Sequence, residues 1–342
     1  PLRLFGLFPK GYPADFIAEY IAQTRTWFYY MHAMGVLLFD RIAFKNVVTT
    51  GTILAADGEK ISKSKRNYTD PLELIDRYGA DAMRLYLMAS PVMQSEDIRF
   101  RDEDVRDAHN RVIGILWNSY KFYELHAASY DGHTKAHSSR HLLDRWILAR
   151  LNQLIDETTS AFDAYDTSRV CRAVRGFVED YSTWYVRRSR ERMKGGGKDM
   201  QYALATQREV ILALSRMCAP IMPFLAESMY RGAKGGAESV HLDTWPTVHQ
   251  SFFARFFGSS DEKLLASMKD ARETVSRALE ARDKAGLKVR QPLQSLTVRV
   301  ALSRELQEIV AEEVNVKNIL VNASTPEGEV RLDTEITPEL KE

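Results

Sequence analysis

The sequence predicts an α-rich chain in three parts. An incomplete α/β domain covers residues 1–100, a helical bundle 101–258 and a small α/β unit 259–342. Three observations carry this reading. Helical and β-branched segments alternate in the first 95 residues. Apolar stripes at helical spacing fill residues 102–232. Beyond 258, one long amphipathic segment precedes two short β-branched runs.

In the first part, residues 13–39 read as a helix started by Pro13 and Asp15. Residues 45–55, KNVVTTGTILA, are β-branched and read as a buried strand. DGEKISKSKRN, residues 57–67, follows as a loop. Asp70 and Pro71 form an N-cap and first-turn pair for a helix through PLELIDRY. Gly79 ends that helix, and ADAMRLYLMAS begins the next. These strands are too few to complete an α/β domain.

The bundle is expected from four stripes. Val112, Leu116, Ser119 and Tyr123 share one face. Ile147, Leu151, Leu154, Thr158 and Phe162 form a second, and Val170, Val174, Phe177, Tyr181 and Trp184 a third. The fourth runs from Leu204 to Tyr230 and is broken by Pro220 and Pro223. Residues 127–140 and 232–239 are polar loops. In the last part, residues 262–286 read as a helix, and SLTVRVAL and NILVNA as short strands. The acidic end, EGEVRLDTEITPELKE, is expected to fray.

Composition excludes several classes. The chain has 342 residues, 45% hydrophobic and 27% charged, with no apolar run long enough to span a bilayer. It opens on PLRLFGLFP, with neither an initiator methionine nor a signal peptide. Cys171 and Cys218 are the only cysteines, too few for a zinc knuckle, and a reducing cytosol is the expected setting. His133 and His137 are four apart but lie in a polar loop without a third ligand, so no metal site is expected. Net charge is +1, so a nucleic-acid footprint has to be local.

The loop at 57–67 is the strongest chemical signal. Lys60, Lys63, Lys65 and Arg66 crowd together with Ser62 and Ser64 after a glycine turn. Like charges this close repel, so such a loop suits a polyphosphate: lysines meet phosphoryl oxygens, and hydroxyls hold the conformation. The bland alternative is a solvated basic turn. The K-x-S-K-S spacing, the preceding strand and the following capped helix favour the phosphate reading.

Lys60-Ile61-Ser62-Lys63-Ser64 resembles the Lys-Met-Ser-Lys-Ser signature of class I aminoacyl-tRNA synthetases, with isoleucine for methionine. GTILAADGEKISKSKRNYTDP, YGADAMRLYLMASP and QTRTWFYYMHAM resemble segments of the isoleucine-specific branch. DRWILARL, WYVRRSRERMK, PIMPFLAESMY, SVHLDTWP and KVRQPL are similar to landmarks of its later regions, in order. Valine enzymes share the bundle landmarks, so the choice of isoleucine rests mainly on residues 23–32. The resemblance implies a partial Rossmann-like nucleotide-binding domain followed by an anticodon-binding bundle. It implies isoleucine, ATP with Mg²⁺ as counter-ion, and tRNA for isoleucine as partners, in a cytoplasmic monomer.

It also implies roles. Lys60 and Lys63 would neutralise the β- and γ-phosphates of ATP, with Lys63 the larger contributor, while Ser62 and Ser64 shape the loop. Glu19 and Gln23 would meet the adenylate from one helical face, and Trp27 and Phe28 would line the amino-acid pocket or pack in the core. Two features depart from the family. None of the eight histidines stands in a His-x-Gly-His context, so the first half of the nucleotide fold and the editing domain are expected elsewhere. Tyr20 and Ala22 replace the glycine and aspartate of the family's Glu-Gly-x-Asp-Gln stretch, which puts the ribose contact in doubt. These departures keep a non-catalytic RNA-binding paralogue open, although such a module has no use for the lysine loop.

Arg187, Arg188, Arg190, Arg192 and Lys194 follow Trp184 closely, opposed within the run only by Glu191. A basic cluster beside an aromatic suits an RNA backbone with unstacked bases, against the alternative of a solvated face. Arg290 in KVRQP suits tRNA or an acidic neighbour equally well.

Overall fold

The computed structural model describes residues 11–248, 260–326 and 328–335. The opening PLRLFGLFP run, the expected boundary at 258 and the acidic end beyond 335 lie outside them. The chain divides into two compact units, residues 1–139 with 151–248 and residues 140–150 with 249–342.

In the first unit, β1 (Ala14–Tyr20), α1 (Trp27–Phe39) and β2 (Phe44–Thr50) form a βαβ unit. The strands are parallel, with Phe16 opposite Asn46 and Glu19 opposite Thr49. This corrects the helix expected over 13–39, of which only the second half is helical. A β-branched strand needs a ladder partner, and a parallel partner is reached only through a crossover, usually a helix. Residues 14–20 supply that partner and α1 the crossover, so tertiary pairing overrides the start signal at Pro13. The buried strand expected over 45–55 is also corrected. β2 stops at Thr50, its side chains are exposed or half-buried, and β3 (Ile53–Leu54) is a separate two-residue strand. The break falls at Gly51, whose N–H donates to the Val92 carbonyl at 2.8 Å. A Cβ there would come within 1.9 Å of the Glu96 carbonyl oxygen, so only glycine fits.

β3 pairs in parallel with β4 (Ile98–Arg99), Leu54 opposite Arg99. Between them run α2 (Pro71–Tyr78) and α3 (Ala80–Ala89). Asp70 caps α2 as expected, accepting the Leu72 N–H at 2.9 Å.

The bundle follows: α4 (Asp102–Ala108), α5 (Gly114–Ala127), α6 (Leu142–Asp163), α7 (Thr167–Glu179), α8 (Arg190–Lys194), α9 (Gly197–Cys218) and α10 (Pro223–Gly232). The expected stripes are buried at Val112, Leu116, Ser119 and Tyr123, at Leu151, Leu154 and Thr158, and at Val170, Val174, Phe177 and Tyr181. The third stripe departs at its end, where Trp184 is half-buried and Tyr185 and Val186 are buried instead. Residues Asp180–Val186 are π-helical, and the wider turn shifts the inward register by one position. From the end of α7 into this segment the rings of Phe177, Tyr181 and Tyr185 stack at 6.2 and 6.0 Å. The prolines do break the fourth stripe, between Cys218 and Pro223.

Residues 11–100 and most of the bundle lie in one compact unit, in which α3 packs on α4 and α7. Arg84 of α3 donates to the carbonyls of Ile221 (2.9 Å) and Pro220 (2.8 Å). Asp81, one turn earlier, accepts the N–H groups of Leu225 (2.7 Å) and Phe224 (3.4 Å).

The second unit holds α11 (Ser260–Lys284), β5 (Leu293–Val298), α12 (Arg304–Val314), β6 (Val316–Val321) and β7 (Arg331–Leu332). Its sheet order is β6-β5-β7, β5 running parallel to β6 and antiparallel to β7. The helix and two strands were anticipated; α12 was not. It is capped by Ser303 and buries Leu306, Ile309 and Val310 at helical spacing. Arg282 of α11 is buried and donates to the carbonyls of Lys288 and Asn315 at 3.1 and 2.9 Å. Among the described residues, no helix is long and apolar enough to cross a membrane.

Candidate functional site

The lysine loop is built by its own backbone. After β3, the Gly58 N–H donates to the Ala55 carbonyl at 2.8 Å and the Ala55 N–H to the Glu59 carbonyl at 2.8 Å. This tight turn sets Lys60 against Leu54 in an isolated antiparallel bridge. Gly58 adopts φ +87°, the left-handed region that glycine enters without strain. Past Lys60, the side chain of Asn67 clamps the loop across its neck. It accepts the Ser62 N–H at 3.0 Å and donates to the Lys60 carbonyl at 3.2 Å. The Ser62 and Ser64 hydroxyls lie 2.8 Å apart and tie the crest together.

The four cations are not equivalent. Lys65 pairs with Glu59 at 3.0 Å. Lys60, Lys63 and Arg66 are exposed and make no ion pair among the described residues. The loop therefore presents three uncompensated charges on a frame held by Asn67. In the sequence Asn67 stands only within the stretch that leads to the helix start; its bonds back to Ser62 and Lys60 depend on the loop's fold and carry no spacing signal. Asp57 accepts the Glu59 N–H, and Glu59 holds Lys65, so both loop carboxylates are engaged.

The adenylate candidates are arranged differently from the single helical face expected for them. Glu19 is exposed near the carboxyl end of β1, while Gln23 sits in a 3₁₀ turn, Ile21–Arg25. The Gln23 carboxamide oxygen accepts the Thr26 hydroxyl at 2.5 Å and the Trp27 N–H at 3.3 Å, so it caps the start of α1. Trp27 and Phe28 divide between the two readings: Phe28 is 5% exposed and in the core, Trp27 is 42% exposed. The Tyr20 hydroxyl lies 3.2 Å from that of Thr52, just before β3. The carboxyl end of β1 thus adjoins the strand that feeds the lysine loop. Ligands of parallel α/β sheets gather at the carboxyl ends of strands.

The arginine cluster also divides. Arg192 is 12% exposed and makes a bidentate pair with Asp199 at 2.8 and 2.9 Å, and Lys194 pairs with Glu191. Arg187 donates to the Thr183 carbonyl, and Arg190 lies over the Phe122 ring, 5.9 Å from its centroid. Arg187 and Arg190 are exposed, and Arg188 is half-buried. The structure thus sets Arg192 apart, through an acid seven residues downstream that lay beyond the run.

Residues 6–100 match the family model of class I tRNA synthetases (I, L, M and V), and residues 144–298 that of the anticodon-binding domain of tRNA ligases. The chain belongs to the class I tRNA synthetases. The isoleucine–tRNA ligase of Deinococcus radiodurans is 41% identical over 323 residues, 91% of this chain and 29% of that protein. That of Mycobacterium tuberculosis is 39% identical over 322 residues, covering 93% and 30%. This synthetase chain therefore spans about 30% of the length of the curated relatives it matches. Its fold is similar to the Agrobacterium radiobacter K84 LeuRS, solved as a ternary complex with tRNA and LeuAMS. The TM-score is 0.52 at 19% identity, over 74% of this chain and 30% of that one. In the synthetase chain, the lysine loop and Glu19 to Trp27 fall in the first matched region, and the arginine cluster falls in the second.

Proposed function

We propose that this chain serves ATP-dependent activation of isoleucine and its transfer to tRNA for isoleucine, as part of an isoleucine–tRNA ligase. One observation carries the reading: Lys60 and Lys63 stand exposed and unpaired on a loop whose neck is clamped by Asn67. The relatives named above are isoleucine ligases, which favours isoleucine over valine.

In the proposed reaction the isoleucine carboxylate attacks the α-phosphorus of ATP, and pyrophosphate leaves with the electrons of the broken P–O bond. Charge builds on the β- and γ-phosphates, where Lys60 and Lys63 neutralise it. Ser62 and Ser64 keep the crest in shape. Mg²⁺ would enter as the counter-ion of ATP and supply further positive charge to the phosphates that Lys60 and Lys63 meet. Glu19 and Trp27 contact the adenylate side, and Gln23 acts there by fixing the start of α1. Arg187, Arg188 and Arg190 contact the tRNA, while Arg192 holds their helix to Asp199. The ligase works as a cytoplasmic monomer.

The test is Lys63→Ala in the intact ligase. Adenylate formation slows about a hundredfold or more while isoleucine affinity is unchanged. Equal losses in both overturn this role.

A further inference from the structure

A cleft of about 580 Å³ opens between α3, β4, α4 and α7, all in the first unit. Leu85, Val112 and Cys171 form part of its lining, and all three are buried. Its rim carries Arg99, Arg101, Arg111, Arg172 and Arg175 against two carboxylates, Asp104 and Asp107. Arg101 pairs with Asp104 at 3.4 Å and Arg111 with Asp107 at 3.3 Å. Arg99, Arg172 and Arg175 make no ion pair among the described residues. Asp166 feels the charge of Arg172 but is occupied at the start of α7, accepting the Arg169 N–H at 3.0 Å and the Ser168 hydroxyl at 2.9 Å. Three guanidiniums without an ion pair, beside an apolar floor, suit a phosphate, which arginine grips through two parallel N–H bonds.

The cleft adjoins the lysine loop through one strand. Arg99 stands opposite Leu54 in the β3–β4 ladder, and Leu54 is bridged on to Lys60. The Phe100 N–H donates to the Leu54 carbonyl at 2.8 Å. Arg99 also lies over Gly58 at the foot of the loop, so close that a Cβ there would be 3.2 Å from its Nε. Arg99 thus lines the cleft while its guanidinium covers the glycine of the loop's turn.

We propose that this cleft is a phosphate-binding site separate from the lysine loop, and that its occupancy reaches Lys60 through Arg99. A phosphate in the cleft draws the Arg99 guanidinium off Gly58 and frees the turn that positions Lys60. The phosphate chemistry has two sources, a free oligophosphate and the backbone of the bound RNA. The inference rests on the loop function proposed above, and the experiment separates the two.

The full chain is prepared as wild type, Lys60→Ala/Lys63→Ala, Arg172→Glu/Arg175→Glu and Arg99→Lys. Each is titrated with inorganic pyrophosphate and with a transcript of tRNA for isoleucine, and hydrogen exchange is followed over residues 57–67. In the lysine variant, pyrophosphate or transcript still binds and still alters exchange over 57–60. The glutamate variant, with substitutions at exposed positions of α7, loses about tenfold in affinity for one of the two probes, and the exchange response with it. Loss of pyrophosphate binding identifies a free anion as the occupant; loss of transcript binding alone identifies the RNA backbone. Arg99→Lys keeps the binding and loses the response at 57–60. The inference is overturned if the glutamate variant binds both probes as wild type does, or if Arg99→Lys responds as wild type does. A lysine variant identical to wild type towards pyrophosphate instead sinks the loop function alone.

Discussion

Asp81 on α3 accepts the backbone N–H of Leu225, in the first turn of α10, at 2.7 Å. A carboxylate 144 residues away in sequence thus does the work of an N-cap that Met222 cannot do. Asp81→Ala strips the cap and leaves these amides bare, so it costs about 1–2 kcal/mol, read as a lower urea midpoint.

The same carboxyl gives a pH signature. Burial raises its pKa above the ordinary 3.8, outweighing the Leu225 and Phe224 donors and Arg84. An acid raised in the folded state holds its proton more tightly when folded. Its contribution is therefore fully present below 3.8 and is lost as pH rises through the folded value. Denaturation of wild type and Asp81→Asn over a pH series should show the difference, wild type minus variant, falling as pH rises from about 3. A constant difference would mean that the carboxyl is not raised.

Asn67→Ala removes both neck bonds of the lysine loop while touching no core residue. Global stability should change by no more than about 0.5 kcal/mol. Amide exchange over residues 60–67 accelerates and pyrophosphate affinity drops. An unchanged exchange pattern would show that the backbone turn at Gly58 suffices to hold the loop.

Tyr181 is fully buried in the aromatic stack, and its hydroxyl has no hydrogen-bond partner among the described residues. Tyr181→Phe keeps the ring contacts and removes a desolvated hydroxyl, so it should stabilise the chain by about 1 kcal/mol. Calorimetry decides this, and a lower melting temperature would place a partner on that oxygen.

Gly51→Ala forces a methyl group into the Glu96 backbone. Neither strand end can retreat without breaking the Gly51–Val92 or Thr52–Asp97 bond. A loss of about 3 kcal/mol or more is expected in urea denaturation, placing it among the severe single substitutions.

Arg187→Ala/Arg190→Ala should weaken binding of a transcript of tRNA for isoleucine and flatten its salt dependence, since each lost phosphate contact lowers the slope. Arg192→Ala should act through stability, because its bidentate bond with Asp199 holds α8 to α9. Titrations at two salt concentrations, with a melt of each variant, separate these roles.

Much of this was legible in the residues. The capped helix at Asp70, the proline break after Cys218 and the buried faces at Val112 and Val170 depend on local chemistry, and sequence carries local chemistry. The strand at 14–20 was not legible, because it exists only through its pairing with residues 44–50. Trp184 was misplaced because a π-helical turn changes the period within one helix. At the site, the cluster of cations was visible and its sorting was not. Lys65 is neutralised by Glu59 and Arg192 by Asp199, contacts made by turns that no spacing rule states.

α9 is a rod of 22 residues, about 33 Å long at the helical rise of 1.5 Å per residue. The turn beyond its end is gripped twice by α3, through carbonyls by Arg84 and through amides by Asp81. Such a double grip ties the turn to α3 at two points. The helix that starts as the lysine loop ends, α2, abuts α3 directly at Gly79. α3 is therefore the element through which the turn at residues 220–225 meets the helix that follows the lysine loop.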